Sequence, residues 1–170
     1  PRESIKVSGF KTKLKAIGGS LSVSSSQVGM EKEKMQDGSN KTFWHSQFTP
    51  TVAKPPHFVI LNNPLKKEID GVSYSKWTGG NGNGQVKSYS IFLSDDGKSW
   101  GNAIIEGELD ILRSYEQKIL FPARTTKKFI KFLVTDAVSL DGKSIASIGK
   151  LDVITSLKKD SSTSEISIPS

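Results

Sequence analysis

Apolar and polar residues alternate in short runs along most of this chain, and clusters of Gly, Asn, Asp and Ser separate the runs. Runs rich in Val, Ile, Phe and Tyr predict strands over 20–25, 57–62, 71–76, 86–94, 103–109, 117–121, 128–136 and 148–155. In "KFIKFLVTD" (128–136), Phe129, Lys131, Leu133 and Thr135 share one face, and Ile130, Phe132, Val134 and Asp136 share the other. The second face is the better core candidate. Helical periodicity is nearly missing. The pattern predicts an all-β fold, a β-sandwich jelly roll of about eight antiparallel strands.

Turn chemistry punctuates the runs. "SDDGKSW" carries Asp96-Gly97 and "SLDGKS" carries Asp141-Gly142, both favoured in two-residue hairpin turns. Residues 1–19 are basic, contain Gly18-Gly19, and read as a linker or an edge strand. Residues 20–156 form the expected domain. Residues 157–170 are polar and Ser-rich, and such a tail buries too little apolar area to offset its ordering entropy.

The 170 residues suit one core, and 35% apolar content is lean for a globular chain. No apolar run approaches a membrane span. The chain opens "PRESIKV" without the apolar stretch of a signal peptide, and reads as a piece of a longer protein. Cysteine is absent, which excludes disulfide frameworks and thiolate catalysis. The net charge of +7 is spread over single lysines, "KTKLK" at 11–15 and pairs such as Lys66-Lys67 and Lys127-Lys128. That spread reads as a solvated face rather than a nucleic-acid stripe, with an anionic ligand as the alternative.

No motif supports catalysis. GxSxG, the P-loop and HExxH are all missing. "GGNGNG" (79–84) lacks the last glycine of GxGxxG and precedes a strand, so no helix N-terminus faces a phosphate. No spacing singles out an acid/base pair.

Five stretches stand in one order: "DGSNKTFWHS" (37–46), "PPHFVILNNP" (55–64), "IDGVSYSKWTGGNGNGQVKSYSIFLSDDGKSWG" (69–101), "ARTTKKFIKFLV" (123–134) and "ASIGKLDVI" (146–154). Together they resemble the discoidin or factor V/VIII type C domain, most closely the bacterial carbohydrate-binding module family 32, over residues 20–156. The resemblance implies a jelly roll whose end loops bind terminal sugars for a larger secreted or surface bacterial protein. A glycosidase, sulfatase or peptidase is the expected parent. Animal relatives use the same loops for lipid or protein. A carbohydrate-binding module is therefore the first expectation. A protein-interaction or structural module is the second, and a phospholipid-binding domain the third; the second and third need no sugar, and the third needs exposed loop-tip hydrophobics, for which Trp77 is the one obvious residue.

The resemblance also implies a site for each part of "DGSNKTFWHS". A structural calcium would take the Lys34 carbonyl, Asp37, Ser39, Thr42 and Gly149, but Lys150 stands where the family carries a carboxylate. Calcium wants six to eight oxygens. The alternative is that the Lys150 ammonium sits near Asp37 in place of the metal. Trp44 reads as a core plug, and the Asn40-Lys41-Thr42 sequon as chance. By likeness to galactose-binding relatives, His45 and Asn83 match sugar contacts. The arginine position falls at or beside Trp77, with Lys76 the nearest cation, and the late loop 135–147 holds no aromatic. His45, Lys76, Trp77 and Asn83 are thus the expected glycan site, with Trp77 either a stacking platform or a buried edge residue.

Overall fold

A computed structural model describes residues 13–39 and 41–155. Among these residues ten strands form antiparallel sheets. They are β1 (Ser20–Val23), β2 (Trp44–His45), β3 (His57–Asn62), β4 (Ile69–Ser75), β5 (Val86–Ser94), β6 (Ile105–Glu108), β7 (Gln117–Thr125), β8 (Phe129–Ala137), β9 (Ser147–Ile148) and β10 (Lys150–Thr155). A five-stranded sheet, β1-β3-β8-β5-β6, faces a three-stranded sheet, β10-β4-β7, and the β2-β9 pair closes one end. All eight expected strands are present. The two-residue β2 is additional, and the last expected strand is broken in two at Gly149. A Cβ at Gly149 would lie 2.7 Å from the Lys76 carbonyl oxygen, so only glycine lets β4 and the β9-β10 junction approach this closely.

The core lies between the two large sheets. In β3, His57, Val59 and Leu61 alternate inward, and in β7 Gln117, Ile119 and Phe121 do the same. Ile130 and Phe132 of β8 are fully buried, as the alternation predicted, while Asp136 at the strand end reaches solvent. Phe132 stacks between Tyr74 and Tyr89, with ring centroids 6.2 and 5.3 Å away. Trp44 is fully buried and its indole N–H donates to the Ser25 carbonyl at 2.9 Å, which satisfies its one polar atom.

Two expectations need correction. The described part of 1–19 is neither linker nor edge strand: Lys13–Ala16 form a short helix, α1, whose Leu14 is fully buried in the core. Residues 1–12, Asn40 and the tail from 156 onward lie outside the described residues. The two Asp-Gly pairs do not close two-residue hairpins. β5 and β6 pair across a long connection, and β8 and β9 do not pair with each other. Asp-Gly serves both places for the same local reason. The glycines hold φ of 74° and 81°, and the aspartates accept backbone N–H groups, Asp96 from Lys98 and Ser99, Asp141 from Lys143.

Candidate functional site

Loops 46–56, 76–85, 109–116 and 138–146 gather at one end of the sandwich, beyond the start of β3 and β5 and the end of β8. The β2-β9 pair forms the floor of this end: His45 lies opposite Ser147, and Gln85 bridges Ser147 from the other side. His45 is 8% exposed. Its Nδ1 stands 2.7 Å from the Ser46 carbonyl oxygen, and its ring meets Phe48 edge-on at 4.7 Å. A carbonyl only accepts, so Nδ1 carries the proton of the neutral ring and Nε2 is left as an acceptor. Burial lowers the His45 pKa, and nearby His57 lowers it further, against the opposing pull of the Ser46 carbonyl. The ring is therefore neutral at physiological pH, with a fixed tautomer.

The other expected residues are placed differently. Asn83 lies in the same row of loops, and its Oδ1 accepts the Leu140 N–H at 2.8 Å. That bond ties the 76–85 loop to the 138–146 loop and leaves the amide NH2 group for other partners. Gly80, Gly82 and Gly84, all at positive φ, let the chain wind tightly around it. Trp77 is half-buried. One face stacks on Phe43 at 3.7 Å between centroids and 15° between planes. A Cβ at Gly79 or Gly80 would come within 2.8 or 2.7 Å of the indole, so the loop backbone lies directly against the ring. Trp77 is thus an anchor for its own loop. Lys76 turns its ammonium to the Ile111 carbonyl in the 109–116 loop. His45 and Asn83 share the loop end; Lys76 and Trp77 are engaged beside it.

Residues 20–151 match the F5/8 type C domain. The chain belongs to that family. It is 32% identical over 127 residues to galactose oxidase of Gibberella zeae, a match covering 73% of this chain and 18% of that relative. The chain thus corresponds to under a fifth of the curated relative's length. Two solved modules of Clostridium perfringens share the fold. One is a family 32 carbohydrate-binding module of NanJ in complex with galactose: 21% identity, 79% of this chain, 92% of that chain, TM-score 0.63. The other is a family 32 module of a family 31 glycoside hydrolase: 21% identity, 89% and 98% coverage, TM-score 0.68. As an F5/8 type C module, the chain is non-catalytic.

The 34–42 loop, where the resemblance led us to expect a calcium site, lies next to β2. Here the Lys150 ammonium stands at its centre. Nζ lies 2.8 Å from the Lys34 carbonyl oxygen, 2.8 Å from that of Thr42, 3.0 Å from that of Gly149 and 3.1 Å from the Thr42 hydroxyl. Asp37 Oδ1 is 3.5 Å away. The Thr42 hydroxyl donates to Asp37, whose Oδ1 also accepts the Ser39 N–H at 3.0 Å. Burial would raise the Asp37 pKa, but the bonds from Thr42 and Ser39 and the Lys150 charge outweigh it and hold it below the usual value. Lys150 is lowered by burial, and Asp37 opposes that shift. Among the described residues, no three His, Asp or Glu side chains converge on one point. Lys34, Asp37, Thr42 and Gly149 come together around Lys150, whereas Ser39 contributes through its backbone and hydroxyl to the loop itself. The donor set fits an ammonium and does not fit calcium, which needs six to eight oxygens at about 2.3–2.6 Å.

Two features escaped the sequence pattern. His57 starts β3 and lines a groove of about 390 Å3 with Thr135, Asp136, Lys143 and Ser144. Its Nε2 lies 3.0 Å from the Ser144 carbonyl oxygen, while its Nδ1 is buried without a partner. Its inward place in the β3 alternation was the available signal. The 109–116 loop exposes Leu112 (85%) and Tyr115 (66%), with the Arg113 guanidinium 4.2 Å above the Tyr115 ring. The run "DILRSY" carries that signal, masked by its lack of alternation. Leu140 in the neighbouring 138–146 loop is exposed as well, whereas Trp77 is half-buried.

Proposed function

We propose that this domain binds terminal sugars of a glycan through its loop end and holds an attached polypeptide near its substrate, outside the cell. The observation that carries this reading is His45. Its Nδ1–H is committed to the Ser46 carbonyl, so the neutral ring keeps Nε2 as an acceptor, in the floor of the loop end beside the Phe48 ring. A pyranose offers hydroxyl donors and an apolar C–H face, and this pairing suits both. The Asn83 amide supports the reading with an NH2 donor on a braced loop. Membership of the F5/8 type C family and the likeness to a module solved with galactose favour a galactose-type terminal sugar. The basic charge of +7 favours tolerance of acidic glycans. With Lys76 and the stacked face of Trp77 engaged elsewhere, few polar groups converge, and single-site affinity is weak. Targeting then works by raising local concentration. The test is a glycan array with wild type and His45→Ala. Signal on galactose-terminated or uronic-acid glycans that is lost in His45→Ala supports the reading, and unchanged signal rejects it.

One observation favours a second reading, a contact with lipid or protein: exposed Leu112 and Tyr115 beside Arg113. Pelleting with anionic vesicles, lost in Leu112→Ser, would establish it over the glycan reading.

A further inference from the structure

Four neutral oxygens, three from the 34–42 loop and one from Gly149, surround one spot. Carbonyls of Lys34, Thr42 and Gly149 and the Thr42 hydroxyl all lie 2.8–3.1 Å from Lys150 Nζ. Carbonyl dipoles turned toward a common point repel one another unless a cation stands between them. Lys150 supplies that cation. Its N···O distances are those of charge-assisted hydrogen bonds, longer than calcium–oxygen bonds. Asp37 is a carboxylate beside the point, at 3.5 Å. Its oxygens are turned to the Thr42 hydroxyl and the Ser39 N–H. Among the described residues, charge at the centre is balanced by Asp37 and spread over neutral dipoles, which suits a monovalent ammonium.

The side chain also starts from the right place. It leaves the β9-β10 break, where Gly149 packs on the carbonyl of Lys76 at the root of the 76–85 loop. Thr42, which accepts two of its contacts, precedes Phe43, the residue stacked on Trp77. One ammonium thus joins the 34–42 loop, β10 and, through Phe43, the binding end.

We propose that Lys150 is a tethered cation that takes the place of a divalent metal in this domain, so that loop closure and folding are independent of calcium. A covalently held ammonium has no dissociation equilibrium with solution calcium, and the loop stays closed where the ion is scarce.

Thermal melting of the full chain in EDTA and in millimolar calcium chloride tests this, together with calorimetric titration of calcium. The wild type melts at the same temperature in both and takes up no stoichiometric calcium. Lys150→Met keeps the length and removes the charge, and its melting temperature falls by roughly 5–10 °C whether or not calcium is present. Lys150→Glu adds a second carboxylate; it melts low in EDTA and higher with calcium. A wild type that binds calcium stoichiometrically, or that calcium stabilises, overturns the proposal. So does a Lys150→Met chain that melts like the wild type, or a Lys150→Glu chain that calcium leaves unchanged. Should a variant fail to fold, the wild-type calcium titration alone decides.

Discussion

Phe43 and Trp77, from different loops, stack at 3.7 Å with their planes 15° apart. The pair fastens the 76–85 loop to the segment entering β2. Trp77→Ala and Phe43→Ala should each weaken glycan binding, and the two effects should not add. A double-mutant cycle on stability should show a coupling of about 0.5–1.5 kcal/mol. A loss confined to Trp77→Ala would instead identify the indole as a sugar platform.

His45 predicts a pH signature. Its folded pKa lies below the ordinary histidine value of about 6.5, because burial disfavours the imidazolium. The unfolded chain takes up the proton first as pH falls. Stability from this group is therefore full above about 6.5 and declines as pH drops toward the folded value. His45→Gln should flatten that part of the stability curve. Imidazole NMR should show His45 neutral with Nδ1 protonated at pH 7.

Asp95 acts further down the same acid limb of the curve. It meets Lys66 at 3.0 Å, Lys127 at 3.3 Å and the Lys128 N–H, and these pull its pKa down to about 2. A depressed carboxylate stabilises above its unfolded value near 3.8 and loses that contribution as pH falls to about 2. Carboxyl NMR should place its midpoint near 2. High salt should raise it, since the partners are exposed. Asp95→Asn should remove this share of the acid dependence.

Much of this was legible in the sequence because it depends on local pattern. Alternation located all eight long strands, and it identified Ile130 and Phe132 as inward. Trp44 was readable as a plug from its position under the loop in the family resemblance, and it is fully buried. The Asp37–Lys150 relation followed from a charge reversal in a loop of known type. What escaped depends on which loops meet in space. Nothing in "YSKWTGG" says that Lys76 will reach Ile111, or that Phe43 will cover Trp77. The two residues of β2 are too few to show a period. α1 escaped for the same reason: one turn, "KLKA", shows a single large apolar residue beside two lysines.

That turn carries the last prediction. α1 is pinned by Asp152 of β10, whose Oδ2 accepts the Lys13 N–H at 2.7 Å while Oδ1 accepts those of Leu14 and Val153 at 2.8 Å. Both carboxylate oxygens thus face backbone donors that a one-turn helix cannot satisfy by itself. Burial raises the Asp152 pKa even so. Asp152→Asn replaces one acceptor with an NH2 group facing an N–H, at a cost of about 1–3 kcal/mol. Leu14→Ala, at a fully buried position, should cost about 2–5 kcal/mol. A chain beginning at Ser20, where the family match starts, should lose both contributions. Urea unfolding of the three variants against the full chain measures each. Equal midpoints would mean that α1 is decoration, whereas the geometry makes it the plug that closes the core beside β10.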